Sequence, residues 1–375
     1  MKDIVSIEDL RARARRRLPR MVFDYIDGGA EDERTLANNT ERLRARELVW
    51  RALVDVSVVD TSISVLGAKS PTPFILAPTA AQRLFHPRLG ELAAARAAHA
   101  HQAIYAVSTL ATQPVEAIAE ACPGPKVFQV YVWRDRALVE GVLDRVRKAG
   151  FTALVLTVDA PVAGKRERDP RNGFSLPVKI NRRTLGQALA RPGYLIDLAL
   201  GGPAKPSNFP HAGGGDVMDL IDRQFDRSVT WDYARWLKQA WGGPMAIKGM
   251  ASPDDARRAI DNGADAVWVS NHGGRQIDTA PASIDTLPAI AKAVGGQAEV
   301  IFDGGVRRGS DIVKAHALGA DAVAVGRAYL YGLAAGGEAG VDAAIRILRE
   351  DVERTLALLG RPTLSGVDDS VLFRP

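Results

Sequence analysis

Eight short apolar runs constrain the fold of this 375-residue chain more than any other feature. They are rich in β-branched residues. Most of them are separated by alanine-rich stretches, each about long enough for one helix and two loops. The runs are FILAP (74–78), IYAV (104–107), VFQVY (127–131), ALVLTV (153–158), MAIK (245–248), AVWVS (266–270), EVIFD (299–303) and AVAV (322–325). Nearly continuous apolar strands between helices indicate a parallel sheet covered by helices. Eight such units predict an α/β fold, a (β/α)8 TIM barrel formed by residues 1–375 as one domain.

The segments outside this alternation of strands and helices also allow structural predictions. The first fifty residues look helical, and Ser6-Ile7-Glu8-Asp9 resembles a capping box. The last helix is predicted over 341–360, where Gly360 and Pro362 end it. Between the fourth and fifth runs lie roughly ninety residues, more than one crossover needs. We interpret about 177–228 as an insertion loop after strand four, with a middle (193–216) rich in Gly and Pro.

Composition excludes several classes of protein. The single cysteine, Cys122, excludes an internal disulfide and fits a reducing compartment, so we expect a cytoplasmic protein. The N-terminus lacks the apolar core of a signal peptide, and no apolar run is long enough to span a bilayer. The net charge of +5 favours anionic ligands. The arginine run at 11–20 reads as the solvated face of a helix, and we expect no nucleic-acid partner.

Polar or glycine residues follow every predicted strand. In a barrel of this kind the active site lies at the C-terminal ends of the strands. The residues delivered there are Pro78, Thr79 and Ala80; Ser108; Gln129 and Tyr131; Thr157 and Asp159; Lys248; Ser270 and His272; Asp303, Gly304 and Gly305; and Gly326 and Arg327. Any one of them could be an ordinary loop residue, but together they indicate a site.

The last two strands carry the signature of an anion site. FDGGVRRGSD (302–311) places glycines and Arg307 after strand seven, and Gly326-Arg327 follows strand eight. Loops at these positions commonly bind phosphate through backbone N–H groups and a helix N-terminus. The phosphate could belong to a substrate or to a cofactor such as FMN, and a plain tight turn is the alternative.

Motifs for other cofactors are absent. The chain has no G-x-G-x-x-G, no Walker A sequence and no H-E-x-x-H. His99 and His101 are spaced i, i+2 in a predicted helix and do not share a face. We interpret them, with His86, His211 and His316, as structural, and we predict no metal site.

VSNHGGRQ (269–276) places a base, His272, three residues before a fixed cation, Arg275. A guanidinium suits the bidentate binding of a carboxylate. Asp159 is well placed to hold the imidazole, and Lys248 could stabilise negative charge on a reduced flavin. Together these groups suit the oxidation of a 2-hydroxy acid.

These motifs resemble those of the FMN-dependent α-hydroxy-acid oxidases and dehydrogenases, a family that includes glycolate oxidase, lactate oxidase, mandelate dehydrogenase and the flavocytochrome lactate dehydrogenases. The likeness runs from FDYIDGGAEDERTL (23–36) to ERTLALLG (353–360). SNHGGRQ and DGGVRRGSD are its most specific parts, and TVDAPVAGKRERD (157–169) and QVYVWRDR (129–136) support it. The resemblance implies FMN as cofactor and an L-2-hydroxy acid as substrate.

The resemblance also implies roles for single residues. His272 would remove the hydroxyl proton while flavin N5 accepts the hydride, with Asp159 as its partner. Arg275 and Tyr25 would bind the substrate carboxylate. Tyr131 would face the substrate hydroxyl, and Arg166 matches a second active-site arginine. The residues implied to contact FMN are Pro78, Thr79, Ala80, Ser108, Gln129, Thr157, Lys248, Ser270, Asp303, Gly304, Gly305, Arg307, Gly326 and Arg327.

Two departures from glycolate oxidase predict the substrate side chain. Leu110 stands where that enzyme has Trp, and Ala163 where it has Leu. Both leave more room, so we expect lactate, a longer aliphatic 2-hydroxy acid or mandelate.

The insertion resembles the segment through which bacterial mandelate and lactate dehydrogenases attach to membranes. Cationic residues surround its apolar patch: Lys179, Arg182, Arg183, Arg191 and Lys205. The protein would then bind the anionic inner face of the cytoplasmic membrane as a partner. A quinone-type electron acceptor is in that case favoured over cytochrome or oxygen. A disordered loop over the active site is the alternative. The resemblance implies a homo-oligomer, usually a tetramer in this family, and we expect no N-terminal haem domain.

Two rival functions remain open at this stage. One is another class of FMN barrel, an isomerase or a peptide-modifying flavoenzyme. The other is a non-catalytic flavin-binding homologue. The combination of His272, Arg275 and Tyr25 favours the oxidation of a small acid over both.

Overall fold

A computed structural model describes residues 1, 3–174, 182–208 and 226–374 of the chain. The eight predicted runs form a closed barrel, which confirms the TIM-barrel prediction. The strands are β1 (Ile63–Val65), β2 (Ala68–Ser70), β3 (Ile75–Leu76), β4 (Tyr105–Ser108), β5 (Lys126–Val130), β6 (Ala153–Thr157), β7 (Met245–Met250), β8 (Ala266–Val269), β9 (Glu299–Phe302) and β10 (Ala322–Val325). β1 and β2 form an antiparallel pair outside the barrel, which β3 to β10 make up.

The barrel strands are parallel throughout and follow chain order. β3 closes the ring against β10, where Leu76 pairs with Val325. Every residue of β4, β5, β6, β8 and β10 is buried. Strands of this kind pack side chains on both faces, against the barrel interior and against the outer helices, so an uninterrupted apolar run is what the fold requires.

Helices cover the outside of the barrel. The described residues contain α1 (Ile7–Arg17), α2 (Arg20–Asp27), α3 (Arg34–Arg44), α4 (Glu91–Ala100), α5 (Val115–Ala121), α6 (Arg136–Lys148), α7 (Arg168–Arg171), α8 (Arg182–Leu189), α9 (Pro192–Gly201), α10 (Trp231–Trp241), α11 (Pro253–Asp261), α12 (Ser283–Val294), α13 (Gly309–Ala317), α14 (Arg327–Gly336) and α15 (Glu338–Leu359). Short 3-10 helices span Gln82–Leu84 and Asp369–Val371.

The N-terminal helix begins where the sequence predicts. Ser6 Oγ accepts the backbone N–H of Asp9 at 3.2 Å, and the Asp9 carboxylate accepts the N–H of Val5 at 3.1 Å. These bonds satisfy donors that would otherwise be unpaired at the helix start. Ser6 therefore caps the helix as its sequence predicts, whereas Asp9 binds the N–H of Val5, the residue before the N-cap.

The arginine run on α1 is only partly a solvated face. Arg13, Arg15 and Arg16 are exposed. Arg11 instead binds Asp27 at 2.6 Å, and Arg17 reaches an aspartate of α9. The run thus also ties α1 to α2 and to the insertion.

The C-terminal helix predicted over 341–360 is α15. It starts three residues earlier, at Glu338, and ends at Leu359, where Gly360 is the C-cap as expected. The end of this helix and the C-terminal segment bind residues 47–51, since Arg51 N–H donates to Leu359 O at 3.1 Å and Phe373 N–H donates to Glu47 O at 3.0 Å. The C-terminal part of the chain is therefore paired with the segment that follows α3.

The insertion between β6 and β7 is not the loop that the sequence predicted. Residues 182–201 form α8 and α9, joined by Ala190 and Arg191. Tyr194 of α9 is buried and donates its hydroxyl to Leu84 O at 3.0 Å, and Arg83 donates to Gly201 O. Lys179, His211 and the side chains of Arg182 and Arg183 lie outside the described residues.

The segment after α9 is fixed to the barrel as well. Ser207 N–H donates to Ala111 O at 3.0 Å, and buried Asn208 accepts the N–H of Val115 at 2.9 Å. The disordered-loop alternative is therefore wrong for residues 182–208. Within the described part of the chain, no helix is both long and apolar enough to cross a membrane.

Candidate active site

A cavity opens at the C-terminal ends of the barrel strands, where the sequence places the site. Most of the predicted residues line it. They are Tyr25, Pro78, Thr79, Ala80, Leu110, Gln129, Tyr131, Thr157, Ala163, Arg166, Lys248, His272, Arg275, Asp303, Gly304, Gly305, Arg307, Gly326 and Arg327. Three predicted residues, Ser108, Asp159 and Ser270, lie behind this wall and act on it through hydrogen bonds.

His272 and Asp159 form a pair at the ends of β8 and β6. His272 Nδ1 lies 2.9 Å from Asp159 Oδ1. Burial opposes ionisation of Asp159, but the charges of His272 and Lys248 outweigh it and lower the pKa of this carboxyl. An ionised aspartate on Nδ1 orients the ring and leaves Nε2 for a substrate.

The backbone around this pair is unusual. His272 has a left-handed φ of +56°, an uncommon conformation for a residue with a side chain. Its N–H donates to Ser270 Oγ at 3.0 Å. Gly249, at φ +106°, lies so close to Asp159 that a Cβ would stand 2.5 Å from the aspartate Cβ. The glycine after Lys248 therefore makes room for the carboxylate.

Two arginines and a tyrosine form the next part of the wall. Arg275 Nη1 donates to Tyr25 O at 2.7 Å and to Gly28 O at 3.1 Å, and its Cζ lies 4.9 Å from the Tyr25 ring centre. Arg166 lies 5.8 Å from the same ring and binds Asp169 at 3.1 Å. Burial, with repulsion from Arg166, lowers the pKa of Arg275. Two cations this close in a buried wall favour an anion between them.

Tyr25 is held in place by aromatic packing. Its ring stacks on Phe174 with centroids 4.5 Å apart and planes inclined by 16°. Tyr131, from the end of β5, lies in the same cavity, and burial followed by the charge of Asp159 raises the pKa of its phenol. Tyr131 is therefore a neutral hydrogen-bonding group at neutral pH.

Lys248 is part of a buried polar network behind the cavity. Its ammonium donates to Ser270 Oγ at 2.7 Å and lies 3.2 Å from Asp303 Oδ2. Asp303 also accepts from Ser270 Oγ at 2.7 Å and from Trp268 Nε1 at 2.9 Å. Burial alone would lower the pKa of Lys248, but Asp303 and Asp159 outweigh it and raise that pKa. The lysine therefore stays cationic.

The ends of β9 and β10 form a cationic corner. Arg327 opens α14 and donates to the carbonyls of Ile26, Gly273 and Gly28 at 2.8–2.9 Å. Burial, with repulsion from Arg275, lowers the pKa of Arg327 to about 10. Arg307 stands at the same corner, and Gly305 passes so close to α3 that a Cβ would lie 2.2 Å from Asn39 O. The start of a helix, two arginines and a glycine backbone with no side chain in the way are groups that suit the binding of a phosphate.

Two buried polar side chains of the cavity each have an atom without a hydrogen-bond partner in the described part of the chain. Gln129 Nε2 and Thr157 Oγ1 are buried and make no hydrogen bond among the described residues. Ser108 Oγ donates to Gln129 Oε1 at 3.0 Å and so fixes the amide. Buried polar groups are nearly always paired, so these two atoms indicate a polar ligand above them.

Residues 14–374 match the family described as FMN-dependent dehydrogenase. The chain belongs to this family. It is an FMN-dependent 2-hydroxy-acid dehydrogenase or oxidase, and FMN is its cofactor, as the sequence predicts.

Two curated relatives represent the breadth of this family. The chain is 44% identical to the L-lactate dehydrogenase of Caulobacter vibrioides (strain NA1000 / CB15N) over 375 residues, which cover 98% of this chain and 97% of that protein. It is 41% identical to glycolate oxidase 1 of Zea mays over 367 residues, which cover 98% and 95%. Identity at this level across whole chains shows a shared fold and chemistry but not a shared substrate.

Solved structures of the family superpose closely. A crystal structure of (S)-mandelate dehydrogenase, described as a monotopic membrane protein, covers 100% of both chains with a TM-score of 0.95 and 38% identity. A crystal structure of mandelate oxidase covers 97% of each chain with a TM-score of 0.85 and 37% identity. The barrel and its C-terminal cavity are therefore family features.

The residues of the cavity suit FMN. The cationic corner at Arg307 and Arg327 suits the phosphate, and the unpaired Gln129 and Thr157 atoms suit the polar edge of a flavin ring. Lys248 supplies a fixed positive charge between them. His86, His99, His101 and His316 line no part of this cavity.

Sequence reasoning missed several residues of the wall. Val162, Pro206, Gln276 and Leu330 line the cavity, and Gln276 Nε2 donates to Asp159 O at 3.0 Å. Gln276 had a usable signal, since it follows Arg275 in the motif. Pro206 had none, because it comes from the insertion and reaches the cavity only through the fold.

Proposed function

We propose that this chain oxidises the L-enantiomer of a 2-hydroxy acid to the 2-oxo acid, with a side chain larger than that of glycolate. The observation that carries the proposal is the His272–Asp159 pair in one cavity with Arg275 and Arg166. A base and carboxylate-binding cations that line the same cavity suit a small hydroxy acid. An isomerase or a non-catalytic protein would not need this combination.

The cofactor residues follow from the geometry. Arg307, Gly305, Gly326 and Arg327 would hold the phosphate of FMN. Asp303 and Gly304 would face the ribityl chain. The ring would lie against Pro78, Thr79 and Ala80, with Gln129, Thr157 and Lys248 along its polar edge, and Ser108 and Ser270 would hold Gln129 and Lys248 from behind. FMN, when bound, supplies the acceptor for the two electrons and the hydrogen that leave the substrate Cα.

Arg275 would bind the substrate carboxylate, with Arg166 and the Tyr25 hydroxyl beside it. Their carbonyl and carboxylate partners hold both guanidiniums in fixed positions, so little order is lost on binding. The carboxylate would also relieve the repulsion between the two cations. Tyr131, kept neutral by its raised pKa, would donate to or accept from the substrate hydroxyl.

His272 would take the hydroxyl proton through Nε2, because Asp159 engages Nδ1. The imidazolium that forms would be stabilised by the ionised aspartate. Asp159 would itself keep its charge throughout, since its lowered pKa makes proton transfer from the ring unfavourable. Lys248 would balance the negative charge left on the cofactor side of the cavity.

The substrate side chain would face Leu110, Ala163 and Pro206. Leu110 and Ala163 are smaller than the residues of glycolate oxidase at these positions, as the resemblance implies. Pro206, fixed through Ser207 and Asn208, closes the same side. This wall is apolar and roomy, which supports lactate, longer aliphatic acids or mandelate over glycolate.

The insertion would attach the protein to an anionic membrane and give it access to a quinone-type acceptor. Leu189, Ile196 and Leu200 are 63%, 60% and 68% exposed, although each is a large apolar residue. Arg191 and Lys205 lie in the same insertion. Exposed leucines beside cations suit an interface with anionic lipid. The similar (S)-mandelate dehydrogenase is described as a monotopic membrane protein.

A second exposed apolar surface supports an oligomer, a tetramer by resemblance. Trp50 and Leu358 are 69% and 71% exposed. Leu53 follows Trp50 in the segment after α3, and Phe373 lies in the C-terminal segment that hydrogen-bonds to it. Changing Leu53 to Glu should lower the mass measured by light scattering, if copies meet at this surface.

A turnover screen tests the proposed function. Purified holoenzyme with a dye acceptor is given glycolate, L- and D-lactate, L-2-hydroxybutyrate and both mandelates. We expect turnover of the L-acids but not of the D-acids, with kcat/KM higher for L-lactate or a larger L-acid than for glycolate. Glycolate as the best substrate would contradict the side-chain assignment, and no turnover of any acid would contradict the function.

A further inference from the structure

The turn that follows β3 is held from behind by a tyrosine that does not line the cavity. Residues 77–80 form part of the cavity wall, and Ala81 beyond them has a left-handed φ of +54°. Such a conformation costs free energy for a residue with a Cβ and persists only where the surroundings enforce it. The turn therefore needs contacts that hold it.

Tyr329, on α14, supplies those contacts. Its side chain is buried, and its hydroxyl donates to Ala77 O at 2.9 Å. The phenol oxygen lies 2.6 Å from Thr79 Oγ1. Because the phenol proton is used on Ala77, the threonine hydroxyl is the donor in this second bond. One tyrosine thus fixes both the strand end and the threonine two residues later.

The same network continues away from the cavity. Gln82 Nε2 lies 3.0 Å from Thr79 Oγ1 and 3.1 Å from the Tyr329 hydroxyl. The backbone of Gln82 is held in turn by the buried carboxylate of Glu91, which accepts its N–H at 3.0 Å. The position of Thr79 is therefore set by groups that no ligand in the cavity can touch.

We propose that the Tyr329 hydroxyl is a positioning group for FMN, acting through Thr79. It fixes the threonine side chain and the turn at residues 78–80, against which the flavin ring lies in the proposed function, and the inference rests on that placement. Loss of the hydroxyl removes the acceptor of the Thr79 hydroxyl proton and leaves Gln82 as the one described side chain that still binds Thr79 Oγ1. The surface that receives the ring is then no longer preorganised.

Tyr105 provides a matched control. It is a second fully buried tyrosine, on β4, and its hydroxyl lies 2.9 Å from Gln82 Nε2. It belongs to the same network but makes no bond to Thr79 or Ala77 among the described contacts. Tyr329→Phe and Tyr105→Phe each remove one buried hydroxyl, and only the first removes the tie to the cavity wall.

The test is FMN binding to the apoprotein. Wild type, Tyr329→Phe and Tyr105→Phe are stripped of FMN and titrated with it, and FMN fluorescence, the visible flavin band and the apoprotein melting temperature are recorded. We expect Tyr329→Phe to raise the Kd about fivefold to tenfold, the range that one buried hydrogen bond supports, and to shift the flavin band. Tyr105→Phe should leave Kd within about twofold, the scatter of such comparisons.

Equal Kd values and flavin bands for wild type and Tyr329→Phe would overturn the inference. So would an equal effect of both variants, because it would show a general loss of core stability. Two further variants, Thr79→Val alone and Thr79→Val combined with Tyr329→Phe, test whether Tyr329 acts through Thr79. The double variant should lose less affinity for FMN than the sum of the two single losses, and fully additive losses would contradict an action through Thr79. Since only FMN is measured, failure of the proposed substrate would leave this result intact.

Discussion

His272 and Asp159 lie 113 positions apart in the chain, yet Nδ1 of one stands 2.9 Å from Oδ1 of the other. The contact joins the ends of two barrel strands that are not neighbours, because β7 runs between them. The register of β7 shifts at Gly249, and the missing side chain there leaves room for Asp159, because a Cβ would stand 2.5 Å from the aspartate Cβ. Three strands thus cooperate to present one oriented imidazole to the cavity.

Asp159→Asn tests the role of this pair. The amide cannot stabilise the imidazolium and can hold the ring in the wrong tautomer, so we expect kcat to fall by about 10²- to 10⁴-fold. FMN content should stay unchanged. Rapid mixing under nitrogen measures the flavin reduction step directly.

The chain offers a matched control for this change. His101 and Asp342 form a histidine–aspartate pair outside the cavity, with Nε2 and Oδ1 2.7 Å apart. Asp342→Asn should leave kcat unchanged. A loss in Asp159→Asn no larger than that in Asp342→Asn would remove the catalytic interpretation.

Arg275→Lys tests the binding of the substrate carboxylate. Lysine keeps a positive charge but loses the planar fork that grips a carboxylate with two bonds. We expect KM to rise about tenfold to a hundredfold with a smaller change in kcat, since the lost contact is made before and during reaction. Steady-state kinetics with L-lactate measures both constants, and the exposed Arg42→Lys is the control. An unchanged KM would place the carboxylate elsewhere.

Leu110→Trp tests the side-chain pocket. A larger ring on the wall should exclude bulky acids, so kcat/KM for L-mandelate should fall about tenfold or more relative to that for glycolate. Pro206→Ala enlarges the same pocket and should shift the ratio the other way. If both variants leave the ratio of the two substrates unaltered, the substrate side chain does not face this wall.

Asp27 should make the stability of the fold depend on pH. Arg11 binds it through two bonds of 2.6 and 2.9 Å, and Tyr331 donates to it at 2.9 Å. Burial opposes ionisation, but Arg11 outweighs it and lowers the pKa of Asp27. A carboxyl with a lowered folded-state pKa contributes stability above its unfolded pKa of about 3.9 and loses it as pH falls through the folded value.

Asp27→Asn should therefore reduce the free energy of unfolding by about 1–3 kcal/mol at pH 7 and by less at pH 3.5. Urea unfolding at both pH values measures the difference. Asp254→Asn, on an exposed side chain, is the control and should change little at either pH. A loss for Asp27→Asn that is as large at pH 3.5 as at pH 7 would refute the charge argument.

The sequence predicts the barrel well because each strand is buried on both faces and must be apolar. It predicts His272, Arg275 and Asp159 because the fold puts every strand end around one mouth. Tyr25 was accessible only through the resemblance, since it comes from α2, 250 positions before the arginine that binds its carbonyl. No local pattern marks a contact of that range.

The insertion shows where the sequence reading failed. Its Gly and Pro content suggested a loop, but Pro192 opens α9 and Gly202 follows its end, the usual places for these residues at helix termini. Tyr329 was missed for a different reason. A buried tyrosine in an apolar helix reads as core, and only its contacts with Ala77 and Thr79 distinguish it.

The most direct test of the whole account is anaerobic mixing of the yellow holoenzyme with L-lactate and with L-mandelate while the visible flavin band is recorded. We expect rapid bleaching by at least one of the two acids, and bleaching slowed by at least about 10²-fold in His272→Gln with its FMN still bound. A flavin band that stays unbleached by both acids in the wild-type protein, or a His272→Gln variant that bleaches as fast as wild type, would contradict it.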